Sequence, residues 1–362
     1  MKYDYTNTID YLLDWYDLNA RILPWRENPK PYYVWISEIM LQQTRVEAVK
    51  SYFERFITTL PDIEALANAK EEVLLKLWEG LGYYNRVRNL QKAAKVIVED
   101  YNKEFPGDYN ALQKLPGIGS YTAGAIASIA FSIPEPAVDG NVLRVLKRVA
   151  ESYDDITKEK VKKELEQDLR EIMPKDRPGD YNQSLMELGA TICIPNGRPL
   201  CEKCPIMHLC KAFRNGVQMQ IPVKPEKKPR KIEHRTILLI EQDKTYAIRK
   251  RQEKGLLAGL WELPSLDGQL TEKKLVDYLI TQELRYDKIT PLGEAKHIFS
   301  HIEWHMTGYY VRIQCDEGLR EAENYHSLKP SLLSSCVFAD TKKIETDYAL
   351  PSAYGAFLKY LK

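Results

Sequence analysis

The sequence predicts two domains of different class, an all-α domain over residues 1–221 and a smaller α+β domain over residues 236–362. In the first part, apolar residues recur three or four positions apart, as on one face of a helix. After residue 235, short segments alternate between apolar and polar residues, as in strands. Residues 222–235 hold three prolines and six basic residues against two acids, so we expect an extended linker there.

Helices are expected in the first domain wherever this periodicity is bounded by proline or glycine. They are predicted over residues 63–81, 87–101, 112–115, 120–131 and 158–173. In the second domain, strands are predicted over 236–240 and 246–250, a helix over 270–284, two strands within 297–313 and a closing helix over 351–361. With 362 residues, the chain is long enough for two separate cores.

Composition is typical of a globular protein, with 44% hydrophobic and 28% charged residues. The first residues carry acids instead of the basic and apolar pattern of a signal peptide, and no apolar run is long enough for a membrane span. We therefore expect a cytoplasmic protein in a reducing compartment. The net charge of +1 neither indicates nor excludes a nucleic-acid partner, because a local basic stripe suffices.

Four of the six cysteines lie in one short run, at Cys193, Cys201, Cys204 and Cys210. Thiolates this close can ligate one metal centre, either zinc or an iron–sulfur cluster. A zinc ribbon has two Cys-x-x-Cys hooks, whereas this run has one hook with a longer loop on each side. The spacing therefore favours a cubane cluster, with zinc as the alternative.

The turn from Leu115 to Tyr121 contains Pro116, Gly117 and Gly119 between two predicted helices. Glycines two apart allow a tight turn whose N–H groups point outward at a helix N-terminus. Such a turn can hold a phosphate oxygen, as in a helix–hairpin–helix DNA-binding motif. A plain helical hairpin is the alternative.

Two acidic residues occupy different surroundings. Glu38 stands among apolar residues, so burial is expected to favour its protonated form and to make it a general acid. Asp139 precedes Gly140 and Asn141 at the start of a predicted helix, where capping would keep it ionised. One acid and one anion are what cleavage of a glycosidic bond requires. A surface glutamate and a purely structural cap are the alternatives.

Six stretches together resemble the adenine DNA glycosylases of the MutY family, within the helix–hairpin–helix glycosylases: 24–26, 35–46, 80–90, 115–126, 137–145 and the cysteine run. The resemblance implies an all-α helix–hairpin–helix glycosylase domain with an iron–sulfur cluster loop, followed by an α+β Nudix-like domain. It also implies a monomer that acts on duplex DNA with adenine opposite 8-oxoguanine or guanine.

The same resemblance implies roles for individual residues. Glu38 would protonate adenine at N7 and later activate water, while Asp139 would stabilise the sugar cation. Tyr121 and Asn141 would support this site. The adenine pocket would be lined by Arg26, Leu41, Val46 and Gln183.

DNA contacts are implied as well. Gln43 and Tyr83 would wedge into the base stack that the flipped adenine leaves. Gly117 and Gly119 would hold a phosphate, and further contacts would come from Thr44, Leu81, Arg198 and Lys203. The four cysteines would ligate a [4Fe–4S] cluster, although seven residues separate the first two here where the family usually has six.

Tyr121 occupies the position at which related endonuclease III-type enzymes carry a lysine that forms a Schiff base with the sugar. A phenol cannot form this imine, so we expect base removal without strand cleavage. Two alternatives stay open: an endonuclease III-like lyase acting on oxidised pyrimidines, and a non-catalytic protein that senses damage in DNA.

The second domain resembles the Nudix-like domain with which the family reads 8-oxoguanine. Phe299, Ser300 and His301 would form the reading loop, and the alternative is a buried strand with a satisfied histidine. Residues 271–284 lack the paired glutamates that hold magnesium in Nudix hydrolases, so we expect no pyrophosphatase activity.

Overall fold

The computed structural model describes residues 3–226, 229–314, 332–333 and 335–361. The chain divides into two compact units. The first combines Met1–Ala69 with Asn85–Lys227, and the second combines Lys70–Tyr84 with Lys228–Lys362. Residues 70–84, predicted as part of the helical domain, therefore belong to the second unit.

The part of the chain before residue 227 is helical, as predicted. Its helices are α1 (Ile9–Asn19), α2 (Pro24–Glu27), α3 (Pro31–Leu41), α4 (Val46–Thr59), α5 (Ile63–Asn68), α6 (Glu71–Leu77), α7 (Asn85–Asp100), α8 (Tyr109–Lys114), α9 (Ser120–Phe131), α10 (Gly140–Ala150), α11 (Glu159–Ile172), α12 (Pro178–Thr191) and α13 (Lys211–Arg214). Helix α6 belongs to the second unit, and all the others belong to the first.

Local capping explains several of these boundaries. The side chains of Asp62, Asp108 and Asp139 each accept a hydrogen bond from a backbone N–H in the first turn of the helix that follows. Proline occupies the first position of α2, α3 and α12, where the missing N–H costs no hydrogen bond. The predicted helix over 120–131 is confirmed at both ends, whereas the segment 63–81 divides into α5 and α6.

Helix α9 lies at the centre of the first unit, since every residue from Thr122 to Ser128 is buried. It packs against α3 and α12. Gly124 permits this packing, because a Cβ atom added there would lie 2.1 Å from the backbone oxygen of Pro136. A second cluster of apolar side chains joins α1, α10 and α12 and extends to Ile206 in the cysteine run.

The second unit contains a seven-stranded sheet, formed by β1 (Lys231–Gln242), β2 (Thr245–Lys250), β3 (Trp261–Glu262), β4 (Ser265–Asp267), β5 (Tyr286–Ile298), β6 (Ile302–Ile313) and β7 (Cys336–Ala339). The strand order is β3-β2-β1-β6-β5, with β4 paired to β1 and β7 paired to β2. Only β1 and β6 run parallel among the described pairs, so the sheet is mixed.

Each face of this sheet is covered by its own apolar cluster. Helix α14 (Glu272–Thr281) contributes Leu275 and Leu279 to one cluster. Helix α16 (Gly355–Leu358) contributes Phe357 to the other, where Trp304 is also buried. Helix α15 (Thr341–Asp347) completes the unit and is followed by a single 3₁₀ turn over Ser352–Tyr354.

Three predicted boundaries of the second domain were wrong. Strand β1 begins at Lys231, so residues 231–235 of the predicted linker are paired with β6. Strand β5 begins at Tyr286, eleven positions before residue 297. The closing helix over 351–361 is reduced to the 3₁₀ turn and α16. Pairing between distant strands sets where β1 and β5 begin, and the periodicity of the local sequence carries no information about that pairing.

Membrane-spanning helices are not found among the described residues, where every helix is too short or too polar to cross a bilayer.

We expect Gly124→Ala to destabilise the first unit, because the new methyl group would meet the rigid backbone at Pro136. The expected loss of unfolding free energy is ~1–3 kcal/mol, measured by chemical denaturation. Gly107→Ala is the matched control, since its Cβ would meet only Phe131, at an ordinary 3.8 Å. Equal effects of the two substitutions would contradict the close packing of α9.

Candidate active site

Glu38 lies in α3, a helix in which eight of eleven residues are buried. Only 6% of Glu38 is exposed. The C-terminal end of this helix is held by Arg86, whose Nη1 donates to the carbonyl oxygens of Ile39 (2.7 Å), Met40 (3.2 Å) and Gln42 (2.8 Å). Cations commonly satisfy the last carbonyls of a helix in this way. The position of Glu38 is thereby fixed from a distant helix.

The pKa of the Glu38 carboxyl is raised from 4.5 to about 7. Burial is the main cause, because it penalises the charged form. The nearby charge of Asp139 raises the pKa further, while a hydrogen bond from Tyr121 and the charge of Arg26 oppose the shift. Burial outweighs these opposing effects, so Glu38 can hold a proton near neutral pH.

Tyr121, in the first turn of α9, donates a hydrogen bond from its hydroxyl group to Oε2 of Glu38. Burial and the neighbouring carboxylates raise the pKa of the phenol well above its usual value of 10.0. The phenol therefore stays a neutral donor to Glu38.

Asp139 caps α10 and accepts three hydrogen bonds. Two come from the backbone N–H groups of Asn141 and Val142, each at 2.8 Å, and one comes from Nδ2 of Asn141, at 2.7 Å. These donors stabilise the carboxylate form. Desolvation by the surrounding protein is stronger, however, and the net pKa of Asp139 is raised above 3.8. The capping bonds by themselves would lower this pKa, which is why the sequence alone predicts an ionised carboxylate.

Arg144 connects this cap to the cysteine run, and no motif in the sequence marks it as a site residue. Its Nη2 donates to Oδ1 of Asn141 at 2.9 Å and to the carbonyl oxygen of Gly189 at 2.7 Å, while its Nε donates to the carbonyl oxygen of Cys193 at 2.8 Å. Arg144 is 5% exposed. Asn141 is therefore held between the Asp139 carboxylate and a buried guanidinium.

Glu187, in α12, is a second candidate site residue that no motif in the sequence marks. It is almost fully buried and binds Nη2 of Arg26 at 2.9 Å and Nε of Arg21 at 2.5 Å. A buried carboxylate between two arginines would have been recognisable only from the fold. Arg26 keeps its Nε buried without a hydrogen-bond partner among the described residues.

The other predicted pocket residues lie on three helices of the same unit. Leu41 ends α3, Val46 begins α4, and Gln183 lies in α12 one turn before Glu187. All three are half-buried. Helix α3 packs on both α4 and α9, and α9 packs on α12. Each helix thus contacts at least one of the others that carry the site.

The predicted hairpin is formed by α8, α9 and the turn between them. Gly117 has a φ of +77°, and a Cβ atom there would lie 2.7 Å from Cβ of Asn89, so both the backbone conformation and the space require glycine. Gly119 is the N-cap of α9, has no side-chain cap and faces open space. The first N–H groups of α9 can therefore donate hydrogen bonds to an anion.

The four cysteines line a cavity with an empty volume of about 400 Å³, including its open mouth. Most other lining residues are apolar, among them Val145, Leu188 and Ile206. Burial raises the pKa of the Cys204 thiol to about 12, so a positive centre is needed to hold it as a thiolate. The donor set and the space fit a multinuclear cluster. In the described part of the chain, no group of three or more His, Cys, Asp or Glu side chains is arranged to hold a metal ion.

The predicted DNA-contacting residues are placed as follows. Gln43 and Tyr83 are exposed and have positive φ values of 60° and 49°. Such strain in non-glycine residues is common at functional positions. Thr44 is half-buried, and Arg198 and Lys203 are exposed beside the cysteines. Leu81 is only 7% exposed, so its side chain faces the protein interior and a DNA contact there would come from its backbone.

In the second unit, Phe299, Ser300 and His301 form the tight turn between β5 and β6, closed by a 2.8 Å hydrogen bond from the N–H of Phe299 to the carbonyl of Ile302. The ring of Phe299 packs on Trp304, with centroids 4.9 Å apart. Ser300 and His301 are exposed. The hydroxyl of Ser300 lies 2.8 Å from that of Tyr83, in the same unit.

Two family models match the chain. The HhH-GPD superfamily base excision DNA repair protein family matches residues 36–171, and the NUDIX domain family matches residues 235–360. The second match lies on the mixed sheet, in agreement with the predicted Nudix-like domain.

Similar proteins include adenine DNA glycosylases of several organisms. The Mus musculus protein is 38% identical over 350 residues, covering 81% of this chain and 68% of that protein. The Homo sapiens protein is 36% identical, covering 81% and 64%. The Buchnera aphidicola protein is 36% identical over 304 residues, covering 83% and 86%. The chain thus spans about two thirds of the mammalian relatives.

Among solved structures, a thermostable thymine-DNA glycosylase is similar, with a TM-score of 0.53 and 28% identity. The match covers 59% of this chain and 100% of that one. Endonuclease III in a non-covalent DNA complex has a TM-score of 0.50 and 27% identity, covering 60% of this chain and 100% of that one.

The raised pKa of Glu38 predicts how stability depends on pH. The folded state holds its proton up to about pH 7, whereas an unfolded glutamate releases it near 4.5, so unfolding free energy falls as pH rises between these values. Glu38→Gln removes this loss. We expect the unfolding free energy of the variant, relative to that of the wild type, to rise by ~3 kcal/mol from about pH 4 to about pH 8. Chemical denaturation at a series of pH values measures this difference.

Glu47→Gln, at an exposed position of α4, is the control for this experiment and should follow the wild-type pH dependence. A Glu38→Gln curve parallel to the wild-type curve at every pH would show that Glu38 is not protonated in the folded protein.

Proposed function

Since the chain belongs to the adenine DNA glycosylase family, we propose that it hydrolyses the glycosidic bond of an adenine opposite 8-oxoguanine or guanine in duplex DNA. The observation that carries this proposal is a buried glutamate, protonated near neutral pH, whose pKa is itself raised by the charge of a second carboxylate, Asp139. Two carboxyl groups in different protonation states are what glycosidic cleavage needs.

In the proposed reaction, the flipped adenine accepts the proton of Glu38 at N7, the bond from N9 to C1′ breaks, and the base leaves as a neutral molecule. The pKa of about 7 suits Glu38 to this role, because it can both hold and release a proton. Tyr121 keeps the carboxyl group oriented through its hydrogen bond. Arg26, Leu41, Val46 and Gln183 enclose the base.

The electron-poor sugar is stabilised by Asp139, whose carboxylate is held by the backbone and side chain of Asn141. Glu38, now ionised, takes a proton from water, and the resulting hydroxide adds to C1′. Asn141 orients this water. Both carboxyl groups return to their starting protonation states, so the cycle is complete.

We propose that residues of each unit contact the DNA. In the first unit, the turn at Gly117 and Gly119 holds a phosphate, Gln43 wedges into the base stack, and Arg198 and Lys203 contact the backbone beside the cysteines. In the second unit, Tyr83 is the corresponding wedge. The support is the exposure of the two wedge residues and their strained backbone.

We propose that Cys193, Cys201, Cys204 and Cys210 ligate a [4Fe–4S] cluster. When bound, the cluster would order the loop that carries Arg198 and Lys203. The chain already provides one donor for it, because Nη1 of Arg148 lies 3.2 Å from Sγ of Cys193. Such N–H···S bonds stabilise negatively charged thiolate ligands.

The endonuclease III-like alternative has one observation in its favour. Although α9 carries no lysine near Tyr121, Lys162 of α11 lies 3.1 Å from Oγ of Ser120, which sequence spacing did not reveal. The ammonium group of Lys162 is already engaged in an ion pair with Oε1 of Glu166, at 3.6 Å. We therefore expect at most a weak adduct in a borohydride trap, lost in Lys162→Ala.

Single-turnover cleavage of a duplex with adenine opposite 8-oxoguanine tests the proposed function. We expect a strand break only in the aliquot treated with alkali, because the enzyme leaves an abasic site without cleaving the backbone. The rate should fall as pH rises through about 7, since Glu38 must be protonated. Glu38→Gln should slow base release by ~10²-fold or more while duplex binding persists.

Three outcomes would contradict the proposal. Strand breaks without alkali would favour the lyase. Unchanged base release in Glu38→Gln would remove Glu38 as the acid. Binding without any release by the wild-type protein would favour the non-catalytic sensor.

Recognition of 8-oxoguanine is proposed for the loop of Phe299, Ser300 and His301. We expect Ser300→Ala to reduce the preference for 8-oxoguanine over guanine opposite adenine by ~10-fold. This factor corresponds to the net free energy of about one hydrogen bond. The measurement is the ratio of the single-turnover rates on the two duplexes, with enzyme in excess over DNA. Tyr83→Phe is the matched control, because it removes the hydroxyl partner of Ser300 and keeps the stacking ring. Equal loss in both variants would assign the effect to the Tyr83 contact.

A further inference from the structure

The cysteine cavity contains a polar side chain that the proposed function does not use. Gln218 lies in the turn that follows α13 and lines the cavity together with the four cysteines. Its Oε1 atom is buried and lacks a hydrogen-bond partner within the described residues. Leaving a buried amide oxygen unsatisfied costs ~1–3 kcal/mol, so this arrangement calls for a specific explanation.

The other side chains around the cavity provide little that could satisfy it. Apart from the cysteines, the lining is apolar except for Arg148 and Gln218. Arg148 is already engaged, since its Nε donates to the carbonyl oxygen of Ile221 at 2.8 Å and its Nη1 donates to Sγ of Cys193 and to the carbonyl of Ile194. Arg148 therefore makes its cavity contacts at Cys193 and the residue that follows it. Apart from Arg148 and the cysteines, Gln218 is thus the one polar side chain among those that line the described cavity.

The partner of Gln218 is expected to be an acceptor. Cluster-bound cysteines are thiolates, and both thiolates and bridging sulfides accept hydrogen bonds without donating them. The oxygen and nitrogen of a glutamine amide exchange places on a half-turn of the terminal group, at nearly the same shape. A negatively charged cluster in the cavity would therefore turn Nε2 toward it and Oε1 away.

We propose that Gln218 donates its side-chain N–H to a sulfur of the bound cluster and thereby sets its reduction potential. The inference rests on the proposed [4Fe–4S] cluster. A hydrogen bond to sulfur stabilises the more negatively charged, reduced form of the cluster, and hence raises the potential of its one-electron couple. Gln218 is a positioning residue in this role and takes no part in base removal.

The test is a spectroelectrochemical titration of the full-length protein with its cluster. In Gln218→Leu, the midpoint potential should become more negative by about a tenfold change in the redox equilibrium constant, about 59 mV for one electron. Gln220→Leu, at an exposed position of the same turn, is the matched control and should leave the potential unchanged. An unchanged potential in Gln218→Leu at full iron and sulfide content would overturn the inference.

A measurement on the wild-type protein avoids dependence on a variant that fails to load its cluster. With glutamine side chains labelled by ¹⁵N, pulsed electron paramagnetic resonance of the paramagnetic cluster should show coupling to one amide nitrogen. Absence of this coupling would contradict the inference. Wild-type protein that contains neither iron nor sulfide would instead refute the cluster itself, so the two failures are distinguishable.

Discussion

The burial of one carboxyl group is the constraint on which the candidate site depends. Glu38 lies inside the helical unit, where desolvation raises its pKa more than the Tyr121 hydrogen bond and the Arg26 charge can lower it. A glutamate on the surface would be ionised at neutral pH and could not act as an acid. The apolar faces of α3 and α9 therefore set the chemistry as directly as the polar groups do, since they exclude the water that would ionise Glu38.

A second set of interactions ties the site to the cysteine run through buried polar contacts. Asp139 is held by Asn141, Asn141 by Arg144, and Arg144 by the carbonyl oxygen of Cys193. Because Arg144 is buried, losing one of its acceptors would leave a guanidinium N–H group unsatisfied. Disorder in the cysteine run would thus be felt at Asn141. The cavity lined by these cysteines is also lined by Arg148 of α10 and by Gln218, in the turn that follows α13.

The second unit is assembled from two distant parts of the chain. Residues 70–84 join it through hydrogen bonds from Lys76 Nζ to the carbonyl of Tyr348 (3.1 Å) and from the N–H of Leu350 to Oε1 of Glu79 (2.7 Å). The hydrogen bond between Tyr83 and Ser300 belongs to this same unit. The proposed wedge and the proposed reading loop therefore share one folded body, and a change in the strained backbone at Tyr83 would be transmitted to the loop.

The sequence alone determined the features that depend on neighbouring residues: α9 at its observed ends, the glycine turn before it, the spacing of the cysteines and the placement of Glu38 among apolar residues. These follow from periodicity, backbone conformation and capping, which act over a few residues. The tertiary structure decided the partners of Arg144, the burial of Glu187, the start of β1 and the exposure of Gln218 to the cysteine cavity. These depend on contacts between distant segments, whose energies appear only once the chain has folded and water has been excluded.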